Sequence, residues 1–339
     1  MISIRLFTAA LLLSFWIAPA LQAAEVNVYS ARKEVLIRPL LNAFTAQTGI
    51  VVNLVSAKAD ALLQRLEREG VNSPADVLLT TDAGRLARAK QKGLLQAIRS
   101  AVLDAAIPAR YRDPEGTWYG LSIRARPIIY ATDRVTASEL STYQALAGPL
   151  WKDRVCVRSS NNIYNQSMLA AFIHHIGAER TEDWARGLVA NFARKPQGGD
   201  TDQIRAVAAG ECDIALANTY YLARLTVSSK AADRAVAAKV AIFWPDQDGA
   251  GVHVNISGAG VTRAAGNLKE AIALLEFLAG QEAQRNYAEV VHEYPVRGDV
   301  AWSDVVSTWG PFKSDEINLG ILGENNAEAM RIFDRAGWR

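Results

Sequence analysis

Four tyrosines lie where the chain leaves a segment of strand character. Tyr29 closes the short strand Val26–Tyr29. Tyr164 falls in the polar stretch Ser159-Ser-Asn-Asn-Ile-Tyr-Asn-Gln166, directly after a strand over 154–158. Tyr220 and Tyr221 follow a strand over 212–217 that runs out through Ala217-Asn-Thr219. In an open α/β sheet, ligands bind beyond the carboxyl ends of the strands. This placement therefore puts four phenols at the mouth of a cleft. A single tyrosine there is equally well an amphipathic ring at a sheet edge, and Tyr220-Tyr221 alone could be one ring in and one ring out. Their joint placement is what singles them out.

Other chemistries find less support. There is no Gly-x-Ser-x-Gly elbow, no P-loop and no Gly-x-Gly-x-x-Gly after a strand. His174 and His175 are adjacent on a helix, so they point roughly 100° apart and make a poor pair for one ion. No Cys/His pair has zinc spacing. The carboxylates are scattered over solvated helix faces, and no nucleophile–base pair emerges, so the chain does not read as an enzyme. Cys156 and Cys212 both sit in short apolar strands. A disulfide and two inert buried thiols remain equally open, because sequence does not show whether those strands are neighbours.

The elements that must position these residues alternate. Leu36, Leu40, Leu41 and Phe44 have helical spacing over 34–48, with Gly49 to end the helix and Pro39 to delay or kink it. A strand over 50–55, a helix over 60–69, a strand over 75–79 and a helix ended by Gly93 complete a βαβαβ rhythm and predict a doubly wound sheet. Residues 118–130 read as an extended passage to a second α/β unit. That unit has a strand at 154–158, helices at 165–176, 181–193 and 202–209, and a strand at 212–217. Residues 253–256 read as a second extended crossing, followed by an apolar helix over 268–279.

Composition agrees with a folded, exported protein. Half the residues are hydrophobic and 21% are charged, which permits a large core. The N-terminus has one charge, Arg5, an apolar run from Leu6 to Ala18, and small residues up to Ala24. That run is shorter than the ~20 residues of a membrane span and has the pattern of a signal peptide over 1–24, cleaved near Ala23–Glu25. Without Arg5 the 37 basic residues become 36 against 35 acidic, a net charge of +1. So even a balance leaves no footprint for nucleic acid. The mature length favours two domains.

Across the whole mature chain the sequence resembles the periplasmic ferric-iron-binding proteins of bacterial ABC importers. The likeness is carried by Val28-Tyr-Ser-Ala-Arg-Lys-Glu34, Arg158-Ser-Ser-Asn-Asn-Ile-Tyr-Asn-Gln166 and Asp213-Ile-Ala-Leu-Ala-Asn-Thr-Tyr-Tyr221. Ala75-Asp-Val-Leu-Leu-Thr80, Trp118-Tyr-Gly-Leu121, His253-Val-Asn-Ile-Ser-Gly258 and Leu274-Leu-Glu-Phe-Leu278 extend it, and the double tyrosine is its most specific part. The resemblance implies a class II, two-lobed periplasmic-binding-protein fold with two crossing strands as hinge, near 120–126 and 250–256. One lobe would be 25–122 plus about 250–297, the other 123–249 plus about 298–339. It implies Fe(III) bound by Tyr164, Tyr220 and Tyr221, with Tyr29 matching a fourth tyrosine of one branch. Other branches place a histidine in the first loop, which here reads Arg32-Lys-Glu34. Arg124 matches the family's cleft arginine, and Arg224 a second arginine that can enter the site. If three phenolates bind, carbonate or a similar anion would fill the remaining positions. The implied partners are a permease with its ATPase and a ferric ion or small ferric chelate, the protein itself acting as a monomer. The competing reading is a binding protein for a polyamine, sugar phosphate or thiamine.

Overall fold

The computed structural model describes residues 24–339. The segment read as a signal peptide lies outside the described residues, apart from Ala24. Among the described residues, no helix is long and apolar enough to cross a membrane.

The strands are β1 (Glu25–Ser30), β2 (Val51–Ser56), β3 (Val77–Thr81), β4 (Tyr119–Ala125), β5 (Ile128–Ala131), β6 (Val155–Cys156), β7 (Ile214–Leu216), β8 (Val240–Phe243) and β9 (Val254–Val261). They form two sheets, ordered β2-β1-β3-β9-β4 and β6-β7-β5-β8. The parallel pairings β1–β2, β1–β3 and β6–β7 carry the expected winding. Both sheets are nonetheless mixed: β9 runs antiparallel to β3 and β4, and β5 antiparallel to β7 and β8. The antiparallel strands are those that pass between sheets, which is why a βα count alone does not reveal them. β9 is buried along its whole length, and its glycines explain how. A Cβ at Gly258 or Gly260 would stand 2.5 Å from the carbonyl oxygen of Tyr119 or Thr117, so only glycine admits the close approach of the neighbouring backbone.

The helices are α1 (Glu34–Thr48), α2 (Ala59–Glu69), α3 (Ala83–Gln91), α4 (Ala101–Ala106), α5 (Ile163–Ile176), α6 (Ala178–Ala190), α7 (Asp200–Ala209), α8 (Thr219–Thr226), α9 (Ala231–Ala237), α10 (Leu268–Leu278), α11 (Gln281–Asn286), α12 (Asp304–Ser307), α13 (Ile321–Glu324) and α14 (Asn326–Ala336). α1 begins at Glu34 and runs through Pro39, which neither delays its start nor ends it. It buries Ile37, Leu40, Leu41 and Phe44, and Gly49 closes it in the left-handed conformation with its N–H on the Thr45 carbonyl. That is the end such a glycine should make.

Two crossings join the sheets, Arg126-Pro127 between β4 and β5 and residues 244–253 between β8 and β9. They are bonded to one another, Arg126 N–H donating to the His253 carbonyl at 3.0 Å. The buried Tyr143 hydroxyl staples both, donating to the Arg126 carbonyl at 2.6 Å and accepting from His253 N–H at 3.2 Å. The tail returns alongside: Asp315 N–H donates to the Val252 carbonyl at 2.9 Å. α14 then packs on α5 and α6, while α13 lies against both α3 and α5. A second link across the cleft is a side-chain bond. Ser167 of α5 donates its hydroxyl to Asp82 Oδ1 at 2.6 Å, just ahead of α3. Asp82 is fully buried and holds a positive φ of 84°, uncommon for a residue with a Cβ.

Cys156 and Cys212 form a disulfide with their Cα atoms 5.9 Å apart. The bond resolves the alternative left open by sequence. It ties β6, which leads to Tyr164, to the segment entering β7, which leads to Tyr220 and Tyr221.

Candidate functional site

The polar loop 158–162 is shaped by its own amides. Asn165 Nδ2 donates to the carbonyls of Arg158 and Ser159 at 2.9 and 3.2 Å, and Gln166 Nε2 to that of Ser160 at 3.0 Å. Asn162 caps α5, accepting from Tyr164 N–H at 3.1 Å, as an N-cap asparagine should. Trp338, near the C-terminus, donates its indole N–H to the Arg158 carbonyl at 2.9 Å. These bonds set Tyr164 in the first turn of α5. Tyr220 and Tyr221 occupy the first turn of α8.

The two segments bring three phenols together. The hydroxyls of Tyr164 and Tyr220 are 3.2 Å apart, and the Tyr220 and Tyr221 rings lie 4.3 Å apart, tilted by 33°. They line one wall of a cavity of about 210 Å³, with Arg224 beside them and Ala31, Arg32, Lys33, Leu36, Thr81 and Glu293 on the other wall. Arg224 stacks over the Tyr220 ring at 4.9 Å. Arg124 stacks over Tyr164 at 5.1 Å. It is 1% exposed, and its Nη2 donates to the Ile256 carbonyl. Its Nε and Nη1 are buried without a partner among the described residues. Both arginines singled out in the sequence thus stand beside the tyrosines.

Tyr29 does not. Its hydroxyl donates to the Glu69 carboxylate of α2, with both oxygens at 3.0 Å, and Arg65 covers its ring at 4.7 Å. The expectation that Tyr29 faces the cleft is corrected here. β1 runs one residue further than the sequence suggests, to Ser30, so Tyr29 remains inside the strand and its side chain points to the α2 face.

Sequence reasoning missed the network behind the phenols. Asp200, fully buried at the start of α7, accepts from Arg126 Nη1 at 3.0 Å, Arg158 Nη1 at 3.2 Å and Asn218 N–H at 2.8 Å. It thereby ties the loop before α5 to the loop before α8. Arg126 also donates to Asn165 Oδ1 at 2.7 Å. Spacing offers no signal for Asp200, whereas Arg158 opens a motif already noted and Arg126 ends the first expected crossing.

Burial keeps two of the phenols neutral while the guanidinium and the carboxylate beside them stay charged. Burial raises the Tyr220 and Tyr221 phenol pKa values above the usual 10, and neighbouring phenols add to the rise. Burial alone would lower the Arg124 pKa, but Tyr164, Tyr220 and Glu293 outweigh it and hold the guanidinium charged. Burial likewise opposes ionisation of Glu293, yet Arg32 and Arg124 bring its pKa below the ordinary value. A roomier cavity of about 300 Å³, lined in part by Leu66, Val71 and Leu94, opens elsewhere on the first lobe and contains none of these groups.

The pattern of the bacterial extracellular solute-binding proteins matches residues 72–313. Iron uptake protein A1 of Synechocystis sp. is 48% identical over 93% of this chain and 88% of its own length. The Trichodesmium protein solved in complex with iron and citrate ligands is 50% identical, with a TM-score of 0.91 over 93% of this chain and all of that one. The ferric binding protein from Campylobacter jejuni is 38% identical, with a TM-score of 0.89 over the same two shares, 93% and 100%. With its family pattern spanning well over half the chain and its class II fold shared with these structures, the chain belongs to the bacterial extracellular solute-binding proteins.

Proposed function

We propose that this protein captures ferric iron in the periplasm with the phenolates of Tyr164, Tyr220 and Tyr221 and delivers it, as a monomer, to an ABC permease and its ATPase. The observation that carries this reading is the meeting of three phenols beside a buried arginine with two unpartnered nitrogens. The iron-uptake and ferric-binding relatives support the choice of metal. Fe(III) is a hard cation that prefers oxygen donors. At bonding distance its charge stabilises the phenolate and releases the proton. Three phenolates cancel three positive charges, so Arg124 and Arg224 are free to hold a further anion such as carbonate or a carboxylate of the incoming chelate. The lobes that close would be 25–122 with 250–297 and 123–249 with 298–339, in a mature chain beginning near Ala24.

The test is a visible absorption titration of the metal-stripped protein with ferric nitrilotriacetate. A phenolate-to-iron band that saturates at one iron per protein is expected. Absence of a band, together with thermal stabilisation by a polyamine or sugar phosphate, would replace this reading with that of an organic-solute carrier.

A further inference from the structure

The tyrosines all belong to one side of the cavity, which leaves open what the other side offers a bound ion. Of the groups on that wall, Arg32 and Lys33 are cations, Ala31 and Leu36 are apolar, and Thr81 brings only a neutral hydroxyl. The remaining residue is Glu293. It is 3% exposed, and its two oxygens are treated differently. Oε2 accepts from Arg32 Nη1 and Ser257 Oγ, both at 3.2 Å, and from Ser122 Oγ at shorter range. Oε1 receives no hydrogen bond from any described residue.

A carboxylate serving only as counterion to Arg32 would be expected to use both oxygens in a bidentate pair. Here a single 3.2 Å contact is made, and both serines crowd the same oxygen. The carboxylate is fixed in place and almost wholly buried, and has one oxygen left open in a residue that lines the tyrosine cavity. Building on the phenolate reading above, we propose that Glu293 Oε1 is the oxygen ligand that the first lobe contributes to ferric iron. Three phenolates and one carboxylate carry four negative charges against the ion's three, and Arg32, already paired with Glu293, balances the remainder. The ion then has donors from both lobes only when the cleft is closed, which makes tight binding and closure one event.

The test compares wild type with Glu293→Gln, each loaded with ferric nitrilotriacetate after metal removal. Glutamine keeps a carbonyl oxygen for the two serines but is a far weaker ligand. The band should persist, since the phenolates remain, and move to longer wavelength as the ion becomes more electron-poor. Iron release to a chelator should quicken by on the order of 10–100-fold. An unmoved band and an unchanged release rate would overturn the role of Glu293 while leaving the phenolate site standing. A wild type without any band would sink the phenolate site itself. Should Glu293→Gln lose the cooperative thermal transition, Glu293→Asp decides: it keeps the charge and withdraws the oxygen by one methylene, so a shifted band supports the proposal and a wild-type band refutes it.

Discussion

The two walls of the cavity are built by different means. On the second lobe, Tyr164, Tyr220 and Tyr221 converge, held by the asparagine-rich loop, the Asp200 network and the Cys156–Cys212 disulfide. Among the described residues, the first lobe places no phenol in the cavity. A buried Arg32–Glu293 pair faces the site, and contact across the cleft includes α13 against α3 and the Asp82–Ser167 bond. One wall is a cluster of phenols and the other a buried ion pair. Phenols already held together would bind an ion at a lower ordering cost.

The comparison is sharpened most by acid. Free tyrosine ionises near ~10, and burial raises the pKa of Tyr220 and Tyr221 further, so these two phenols hold their protons at neutral pH. Each phenolate formed releases one proton. Ferric affinity should therefore fall by about tenfold per phenolate for each unit drop in pH, or about a thousandfold for three. Competition against a chelator of known pH dependence between pH 8 and 5 measures this, and a flat profile would break the phenolate account.

Next in size is the disulfide. Removing it as Cys156→Ala/Cys212→Ala should cost about 2–4 kcal/mol of stability in a denaturant titration, given the long loop it closes. Because the bond underlies the two tyrosine segments, the double variant should also broaden the visible band. A destabilised protein with an unaltered band would show that the disulfide supports the fold alone.

Arg124→Met should lower ferric affinity by on the order of a hundredfold, the scale of removing one partner from a buried charge cluster. The variant should stay coloured, since no ligand is lost. Ser167→Ala is milder. It leaves Asp82 Oδ1 with only the Gly84 N–H, which should cost about 1–2 kcal/mol and favour the open form, seen as a larger radius of gyration in solution scattering. If the iron-free radius is unchanged, the bond does not govern closure.

The sequence and the structure agree where local physics decides. α1 follows from apolar residues at helical spacing and a glycine that accepts positive φ. The placement of Tyr164, Tyr220 and Tyr221 on the cavity is legible because each lies in the first turn of a helix that follows a strand, and that start fixes the direction of the turn. Tyr29 was misread for a related reason. Position near a strand's end does not say which face the side chain takes, and a shift of one residue exchanges the faces. Asp200 and Glu293 gave no local signal. Each is brought to the site by topology, Glu293 by a segment more than 250 residues beyond Arg32, and a contact of that separation is not written in any spacing. The antiparallel crossings were read as extended, yet their pairing partners depend on which sheet they join.

The most direct measurement sets the two walls side by side: the visible titration with ferric nitrilotriacetate carried out on Tyr29→Phe and Tyr220→Phe. Tyr29→Phe should keep the wild-type band and affinity, losing only the hydrogen bond to Glu69, while Tyr220→Phe should lose or weaken the band and bind iron far more weakly. A Tyr29→Phe protein without the band, or a Tyr220→Phe protein that retains it in full, would contradict the assignment of the iron-binding phenols to the second lobe.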